Sequence, residues 1–177
     1  MEIRLAQLED IIDLVEHDLR HMREPGFNNL PAHPFPTDYQ WNKEKMIEDK
    51  LKSWPKEVTE LQWARSFIMI DKDLIVGHLN LKNLFEGSLH RAQLGMGIEA
   101  AYRGSGHGKN LLDFAIAWAR EQKSLEWIDL SVFSHNLPAR KLYASKGFEE
   151  IALMKDRVRV NGLSIDDIFM SMKIKSE

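Results

Sequence analysis

Three of the ten glycines in this chain fall within five residues, in the run Arg103-Gly104-Ser105-Gly106-His107-Gly108-Lys109. Alternating apolar residues at positions 94–98 precede the run and predict a strand, and apolar residues at helical spacing over positions 111–119 follow it. Strand-like alternation returns at positions 128–132. A strand, a crossover helix and a second strand in this order predict two parallel neighbouring strands, which excludes an all-β fold.

The rest of the chain also divides into strand and helix patterns. In chain order these are a strand at residues 3–5, a helix over residues 8–22, a proline-rich loop at residues 24–41, a helix over residues 42–54, two strands between residues 63 and 81, a helix from Asn136 through Tyr143, a strand after Gly147, and a final hairpin. This order predicts an α/β fold of the mixed α+β kind. About seven strands form one sheet, about four helices flank it, and residues 1–177 form a single domain.

Local residue patterns add detail to these elements. Asp71-Lys72-Asp73 and Asn161-Gly162 each separate two strand patterns, and they predict hairpin turns. The apolar residues of the first helix recur at helical spacing and predict its buried face: Leu8, Ile11, Ile12, Val15, Leu19 and Met22.

The composition excludes several classes of partner and chemistry. Lys and Arg number 24 against 27 Asp and Glu, and the net charge of -3 supplies no field to hold a nucleic acid. The absence of cysteine excludes disulfides and thiolate catalysis and is typical of a reducing compartment, so we expect the cytoplasm. The amino terminus lacks a signal-peptide pattern and charges interrupt every apolar stretch, so no membrane contact is predicted.

The glycine run has the position of a phosphate-binding loop, because it leads into the amino end of a helix. Free N–H groups and the helix dipole favour an anion there by about 0.3–1 kcal/mol per charge. Arg103 and Asn110 depart from the Walker motif, and Gly104-x-Gly106-x-Gly108 lacks the Rossmann spacing. A turn without a ligand is the alternative, although one or two glycines suffice for a turn. The run therefore predicts a pyrophosphate site of another kind.

Arg103-x-x-Gly106-x-Gly108 resembles the Arg/Gln-x-x-Gly-x-Gly/Ala signature of the GNAT superfamily of N-acetyltransferases, whose backbone amides hold the pyrophosphate of acetyl-coenzyme A. Residues 94–99 resemble the family's splayed central strand, and residues 136–148 resemble its second cofactor motif. The hairpin at residues 155–174 resembles the closing hairpin of the RimJ/RimL-like branch. The resemblance is strong over residues 92–174 and only general over the first 60 residues.

The resemblance implies a GNAT-like twisted central sheet, an acetyl-CoA-binding core at residues 92–148 and acetyl-CoA as co-substrate. It assigns cofactor contacts to the splayed strand, the glycine run and one asparagine: Met96, Gly97, Ile98, Arg103, Gly104, Ser105, Gly106, His107, Gly108, Lys109 and Asn136. Asn136 also has the position of a helix cap, and both roles stay open.

Tyr143 lies two helical turns after Asn136 and therefore on the same face of its helix. In the family, a tyrosine at this position protonates the departing thiolate, so the resemblance implies that role for Tyr143. A buried tyrosine with a hydrogen-bonded hydroxyl, without a catalytic role, is the alternative.

An acceptor ammonium must also lose a proton before its nitrogen can attack. Some family members carry a glutamate for this purpose on the strand before the asparagine helix, but Ser131 stands at that position. We expect Glu99 to act as the base, with three weaker alternatives: His90, Gln93 and His135.

His17 and His21 lie one helical turn apart and could contact one metal ion. No third ligand has convincing spacing, since His33, the next histidine, lies in the proline-rich loop. The sequence therefore predicts a solvated polar helix face and no metal.

The loop at residues 24–41 combines prolines with aromatic residues, and we expect it to select the acceptor through His33, Phe35 and Tyr39. A loop packed against its own aromatic side chains is an equal alternative. Asp166 and Asp167 in the final hairpin are candidates for a cation site or are ordinary surface residues.

Together these patterns predict an acetyl-CoA-dependent N-acetyltransferase in which a primary amine attacks the thioester directly. The acceptor is the amine of a small molecule or of a protein or peptide. The alternative is a non-catalytic acetyl-CoA sensor or partner module. The edge of the closing hairpin offers a surface for a homodimer.

Overall fold

The computed structural model describes residues 1–36 and 38–175. Its strands are β1 (Glu2–Leu5), β2 (Ala64–Asp71), β3 (Leu74–Lys82), β4 (Arg91–Ile98), β5 (Trp127–Phe133), β6 (Glu149–Val160) and β7 (Leu163–Lys173). Its α-helices are α1 (Ile11–His21), α2 (Lys43–Ser53), α3 (His107–Glu121) and α4 (Leu137–Ser145). These elements confirm the predicted order.

All seven strands join one sheet in the order β1-β2-β3-β4-β5-β7-β6. Strands β4 and β5 pair in parallel, as the crossover through α3 requires, and all other neighbours are antiparallel. The predicted mixed sheet and the predicted parallel pair are therefore confirmed.

The parallel pair is short, and this creates the main opening in the sheet. Only Arg91–Gln93 of β4 pair with Trp127–Asp129 of β5. The Arg91 guanidinium clamps this end by donating to both carboxylate oxygens of Asp129 at 2.6 Å. Beyond residue 93, β4 follows β3 while β5 follows β7, so the two strands separate and leave a gap.

Both predicted hairpin turns are present. Lys72 and Asp73 join β2 to β3 with φ angles of 47° and 66°, and Asn161 and Gly162 join β6 to β7 with φ angles of 50° and 80°. Two consecutive positive φ angles are typical of the two-residue turn that matches the twist of antiparallel strands.

The predicted buried face of the first helix is partly wrong. Leu8 and Ile12 are 54% and 58% exposed, whereas α1 buries Leu14, His17 and Asp18 with two of the expected residues. The helix begins at Ile11, after a 3-10 turn in which the Asp10 carboxylate accepts from the Arg4 guanidinium. The face turned toward the sheet therefore includes polar residues that periodicity of apolar residues cannot identify.

Strand β6 forms one edge of the sheet and carries three exposed apolar side chains, Ile151, Leu153 and Met154. The predicted homodimer edge remains a prediction. Among residues 1–36 and 38–175, no helix combines the length and the apolar character needed to cross a bilayer.

Candidate active site

A cavity of about 880 Å³ occupies the gap between β4 and β5. One wall is the backbone of residues 94–98 in β4, and the opposite wall is formed by residues 131–133 of β5 with Tyr143 from α4. The glycine run closes one end, and residues 26–34 of the loop after α1 close another. The cavity therefore connects the sheet, two helix amino ends and the proline-rich loop.

The glycine run has the backbone of an anion-binding loop. Gly104 and Gly106 have φ angles of 80° and 82°, which glycine adopts without the strain that a side chain causes. A Cβ at either position would meet no atom within 4 Å. Gly106 is the N-cap of α3 and offers no capping side chain, so the first N–H groups of α3 have no partner within the helix. These donors lie at the end of the cavity.

Arg103 is held by its side chain rather than being left free for a ligand. Its guanidinium donates to the carbonyl oxygens of Ile98 at 2.7 Å and Pro25 at 3.0 Å, and to the Glu24 carboxylate at 2.6 Å. Arg103 thus ties the glycine run to the segment that follows α1. Its side chain acts on the shape of the site, while its backbone still borders the cavity.

Asn136 and Tyr143 lie on the face of α4 that lines the cavity. The Asn136 Oδ1 caps α4 by accepting from the Ala139 N–H at 3.3 Å, which leaves the amide nitrogen without a partner among the described residues. Tyr143 is buried, its hydroxyl has no hydrogen bond to a described residue, and burial raises its pKa to about 12. The phenol therefore keeps its proton at neutral pH and is available as a donor.

Most of the predicted site residues meet at this cavity. All predicted cofactor contacts except Ser105 line it, together with His33 and Tyr143. Glu99 does not, because its carboxylate points to α1 and accepts from His17 and from Arg20.

Phe35 and Tyr39 also lie outside the cavity lining. They pack with Trp41 in an aromatic cluster with ring centroids 4.6–4.8 Å apart. This packing matches the alternative in which the loop is held by its own aromatic side chains.

Comparison with known proteins agrees with this geometry. Residues 17–148 match the model of the acetyltransferase (GNAT) family. The chain belongs to the GNAT family. The family predicted from the glycine run is therefore confirmed, and the described sheet and helices are those of a GNAT fold.

Individual relatives of this GNAT chain are distant. The [ribosomal protein uS5]-alanine N-acetyltransferase of Escherichia coli is 28% identical over 102 residues, which are 58% of this chain and 53% of that protein. The chain thus spans about half the length of the curated relatives it matches.

Two solved structures share the fold over nearly their whole length. An acetyltransferase of the GNAT family from Streptococcus pneumoniae has a TM-score of 0.80 at 23% identity, with 98% of this chain and 99% of that chain covered. The Salmonella typhimurium protein yncA, solved with its cofactor acetyl-CoA, has a TM-score of 0.79 at 19% identity, with 100% and 95% covered.

The GNAT chain departs from expectation at its histidines. His17 is fully buried, and His21 is mostly buried, so the predicted solvated face is wrong. The His17 imidazole donates from Nδ1 to the Glu99 carboxylate at 2.9 Å, and its Nε2 lies 3.0 Å from Nδ1 of the buried His78 on β3. Because a carboxylate only accepts, the His17 Nε2 is the acceptor of the second bond in the neutral ring. The Nδ1 of His78 therefore donates to the Nε2 of His17.

Two of these histidines and the neighbouring buried Asp18 have potential metal-ligand atoms close together. The ligand atoms of His17, Asp18 and His78 lie within 4.8 Å of one another. The Asp18 carboxylate is held by the Lys50 ammonium at 3.1 Å and faces His78 at 3.3 Å. The Lys50 ammonium and the hydrogen-bonded imidazoles therefore occupy the space where a metal ion would bind. The absence of a metal remains a prediction.

The buried His78 predicts a pH dependence of stability. Burial lowers its pKa to about 3, against the opposing charge of Asp18, while His17, His21 and Lys50 add to the lowering. The unfolded chain titrates this group near a pKa of about 6.5, so stability is present above that pH and is lost as the pH falls toward 3. Urea unfolding between about pH 7 and pH 4.5 should show a loss of up to about 1.4 kcal/mol per pH unit. His78→Asn should reduce this slope, and an unchanged slope would contradict the assignment.

His21 and Asp167 line the cavity and could accept a proton, and neither of them was predicted from the sequence as a base. Asp167 on β7 is buried and lines the cavity, its Oδ1 has no hydrogen-bond partner among the described residues, and burial raises its pKa. The sequence left open that Asp167 is an ordinary surface residue of the closing hairpin, and its burial and its place in the cavity lining exclude that alternative.

Proposed function

We propose that this chain binds acetyl-CoA in the gap between β4 and β5 and transfers the acetyl group to a primary amine by direct attack. The observation that carries the proposal is the junction of three features in one cavity: an open strand backbone, an anion-binding helix start and a protonated tyrosine whose hydroxyl has no hydrogen-bond partner among the described residues. Each feature suits a different part of the acetyl-CoA molecule.

The cavity residues fit that co-substrate along its length. The amino end of α3 with Gly104 and Gly106 would hold the pyrophosphate through backbone N–H groups. Met96 and Ile98 lie beyond the residues of β4 that pair with β5, and their backbone groups on that side would pair with the pantetheine amides as an added strand does. The amide nitrogen of Asn136, which has no partner among residues 1–36 and 38–175, is a further donor toward this arm.

Bound acetyl-CoA supplies a thioester, whose carbonyl carbon gains a C–N bond as its C–S bond breaks. The phenol of Tyr143 donates a proton to the departing sulfur, which its raised pKa of about 12 permits across the neutral range. The backbone of β4 positions the thioester carbonyl and polarises its oxygen. Because the chain contains no cysteine, no cysteine acyl-enzyme forms.

The acceptor enters on the side of the proline-rich loop, where Phe27, Ala32, His33 and Pro34 form an apolar wall with one polar group. The names of the relatives favour the amino group of a protein, since the Escherichia coli relative is named for alanine of ribosomal protein uS5. We propose an unblocked amino terminus as the first acceptor to test and small amines as the second.

Thiol release from acetyl-CoA tests the proposal across a panel of short peptides, amino acids and polyamines. We expect release that depends on one class of amine, with an amide product. The cysteine-free chain adds no thiol of its own. If thiol release does not depend on an amine, the result would favour the acetyl-CoA sensor. The cavity also suits a sensor, and a sensor needs no proton donor at Tyr143.

The pyrophosphate assignment predicts the effect of Gly106→Ala. The methyl group would project into the open cradle from a residue with φ of 82°, so we expect the KM for acetyl-CoA to rise about tenfold, the effect of one lost charge-assisted hydrogen bond of about 1.5 kcal/mol. Gly162→Ala is the matched control, since Gly162 has φ of 80° in a distant hairpin with equal space. Equal KM values in both variants would contradict the assignment.

A further inference from the structure

His21 forms part of the acceptor side of the cavity and packs directly on β4. A Cβ at Gly97 would lie 2.4 Å from its Nε2, so the imidazole occupies the space that a side chain would fill. Gly97 lies in the part of β4 that is not paired with β5, and it lines the same cavity. The Nε2 atom therefore lies at the cavity wall formed by the part of β4 that is not paired with β5.

The tautomer of His21 follows from its neighbour. Its Nδ1 lies 3.3 Å from Oε2 of Glu24. Because a carboxylate accepts only, Nδ1 carries the hydrogen, and the neutral ring has its lone pair on Nε2. No described residue forms a hydrogen bond with this Nε2. The lone pair is therefore free to accept a proton from a ligand in the cavity.

Glu24 is itself fixed in place. Both of its carboxylate oxygens lie 2.9 Å from the N–H of Ala100, and its Oε2 accepts from the Arg103 guanidinium at 2.6 Å. Arg103 is the first residue of the glycine motif, and its guanidinium joins Glu24 to the carbonyl oxygens of Ile98 and Pro25. The motif thus supports a carboxylate–imidazole pair as well as a phosphate cradle.

The surroundings of His21 favour its neutral form. Burial lowers its pKa most, His17 and the Arg103 guanidinium lower it further, and Glu24 opposes them. His78 lies edge-on, with ring centroids 6.0 Å apart, and His33 lines the same cavity. A group with its pKa below about 6.5 is available as a base at neutral pH.

We propose that the Nε2 of His21 removes the proton from the acceptor ammonium and that Glu24 is its positioning residue. The inference rests on the proposed function. One ammonium proton passes to Nε2 and then to solvent. The second proton lost by the nitrogen replaces the one that Tyr143 gives to sulfur. The products are an amide, a free thiol and one released proton, so atoms and charge balance.

This assignment replaces the sequence prediction of Glu99, whose carboxylate is outside the cavity lining and bonded to His17 and Arg20. The competing candidate is Asp167, whose buried carboxylate lines the opposite side of the cavity. His21 lies against β4, whereas Asp167 lies on β7 opposite β5, so substitutions at the two positions test the two candidates separately.

The test is the pH profile of kcat/KM for wild type, His21→Gln, Glu24→Gln, Asp167→Asn and the control Glu86→Gln, which changes an exposed carboxylate outside the cavity lining. At pH 7 we expect His21→Gln to lose about 10²–10⁴-fold. The loss should shrink as the pH passes the pKa of the acceptor amine, because the amine then arrives unprotonated. It should also be larger for a lysine-like amine with a pKa of about 10.4 than for an α-amine with a pKa of about 8.

Glu24→Gln should move the acidic limb to lower pH, because Glu24 raises the pKa of His21. A loss in His21→Gln that is equal at every pH, or an acidic limb removed only by Asp167→Asn, would overturn the inference. Calorimetric binding of acetyl-CoA checks that each variant folds. If His21→Gln does not fold, the position of the acidic limb in the pH profile of Glu24→Gln tests the inference instead. A wild type that turns over no amine overturns the proposed function and the inference together.

Discussion

Tyr143→Phe should lower turnover about 10²–10⁴-fold while leaving the affinity for acetyl-CoA nearly unchanged. Phenylalanine keeps the ring that packs against Phe148 at a centroid distance of 5.7 Å and removes only the hydroxyl. That hydroxyl has no partner among the described residues, so its loss leaves no buried group unsatisfied. The effect should therefore appear in kcat, measured by steady-state thiol release, and not in stability.

Tyr102→Phe provides the control for this substitution. The Tyr102 hydroxyl donates to Asp71 at 3.1 Å and lies outside the cavity lining, so turnover should stay at the wild-type level. Unchanged turnover in Tyr143→Phe would contradict the assigned proton donor. If no amine is acetylated by the wild type, calorimetry with acetyl-CoA still tests whether Tyr143 contributes to binding.

Gly97→Ala should destabilise the fold, because its Cβ would lie 2.4 Å from the His21 ring and 2.9 Å from the His78 ring. Both rings are confined between α1 and the sheet, and overpacking of this kind costs about 1–3 kcal/mol. In a chain of this length each kcal/mol lowers the Tm by roughly 2–4 °C. Thermal unfolding followed by circular dichroism measures the change.

Gly95→Ala is the matched control, since Gly95 lies two residues earlier on the same face of β4 and a Cβ there meets nothing within 4 Å. Its Tm should stay constant or rise slightly, because alanine reduces the entropy of the unfolded chain. Equal Tm values for the two variants would contradict the close packing of His21 on β4, and with it the geometry of the inferred base.

The sequence predicted the sheet, the hairpins and the glycine run that lines one end of the cavity because these depend on local patterns. Alternation, turn residues and a glycine run before a helix each act within about ten residues. The pairing of β4 with β5 followed from the crossover rule, and the position of Tyr143 followed from its spacing to Asn136.

The part of the cavity around His21, where we propose that the acceptor binds, was less predictable because it is assembled from distant segments. His21 comes from α1, Glu24 from the following loop and Gly97 from β4, and no spacing rule connects them. The polar residues of α1 appeared to face solvent because burial of His17 depends on partners on β3 and after β4. The one sequence signal was Gly97 itself, since a glycine inside a strand indicates close approach of another group.

Amide hydrogen exchange with and without acetyl-CoA tests whether the gap between β4 and β5 and the start of α3 bind this co-substrate. We expect slower exchange at the amides of residues 104–109, Met96 and Ile98, where N–H groups that point away from β3 or begin α3 gain acceptors. Residues 49–64, which border a second and smaller cavity, should exchange unchanged. Protection at that second cavity, or no protection in the glycine run at saturating acetyl-CoA, would contradict binding of acetyl-CoA in the gap between β4 and β5.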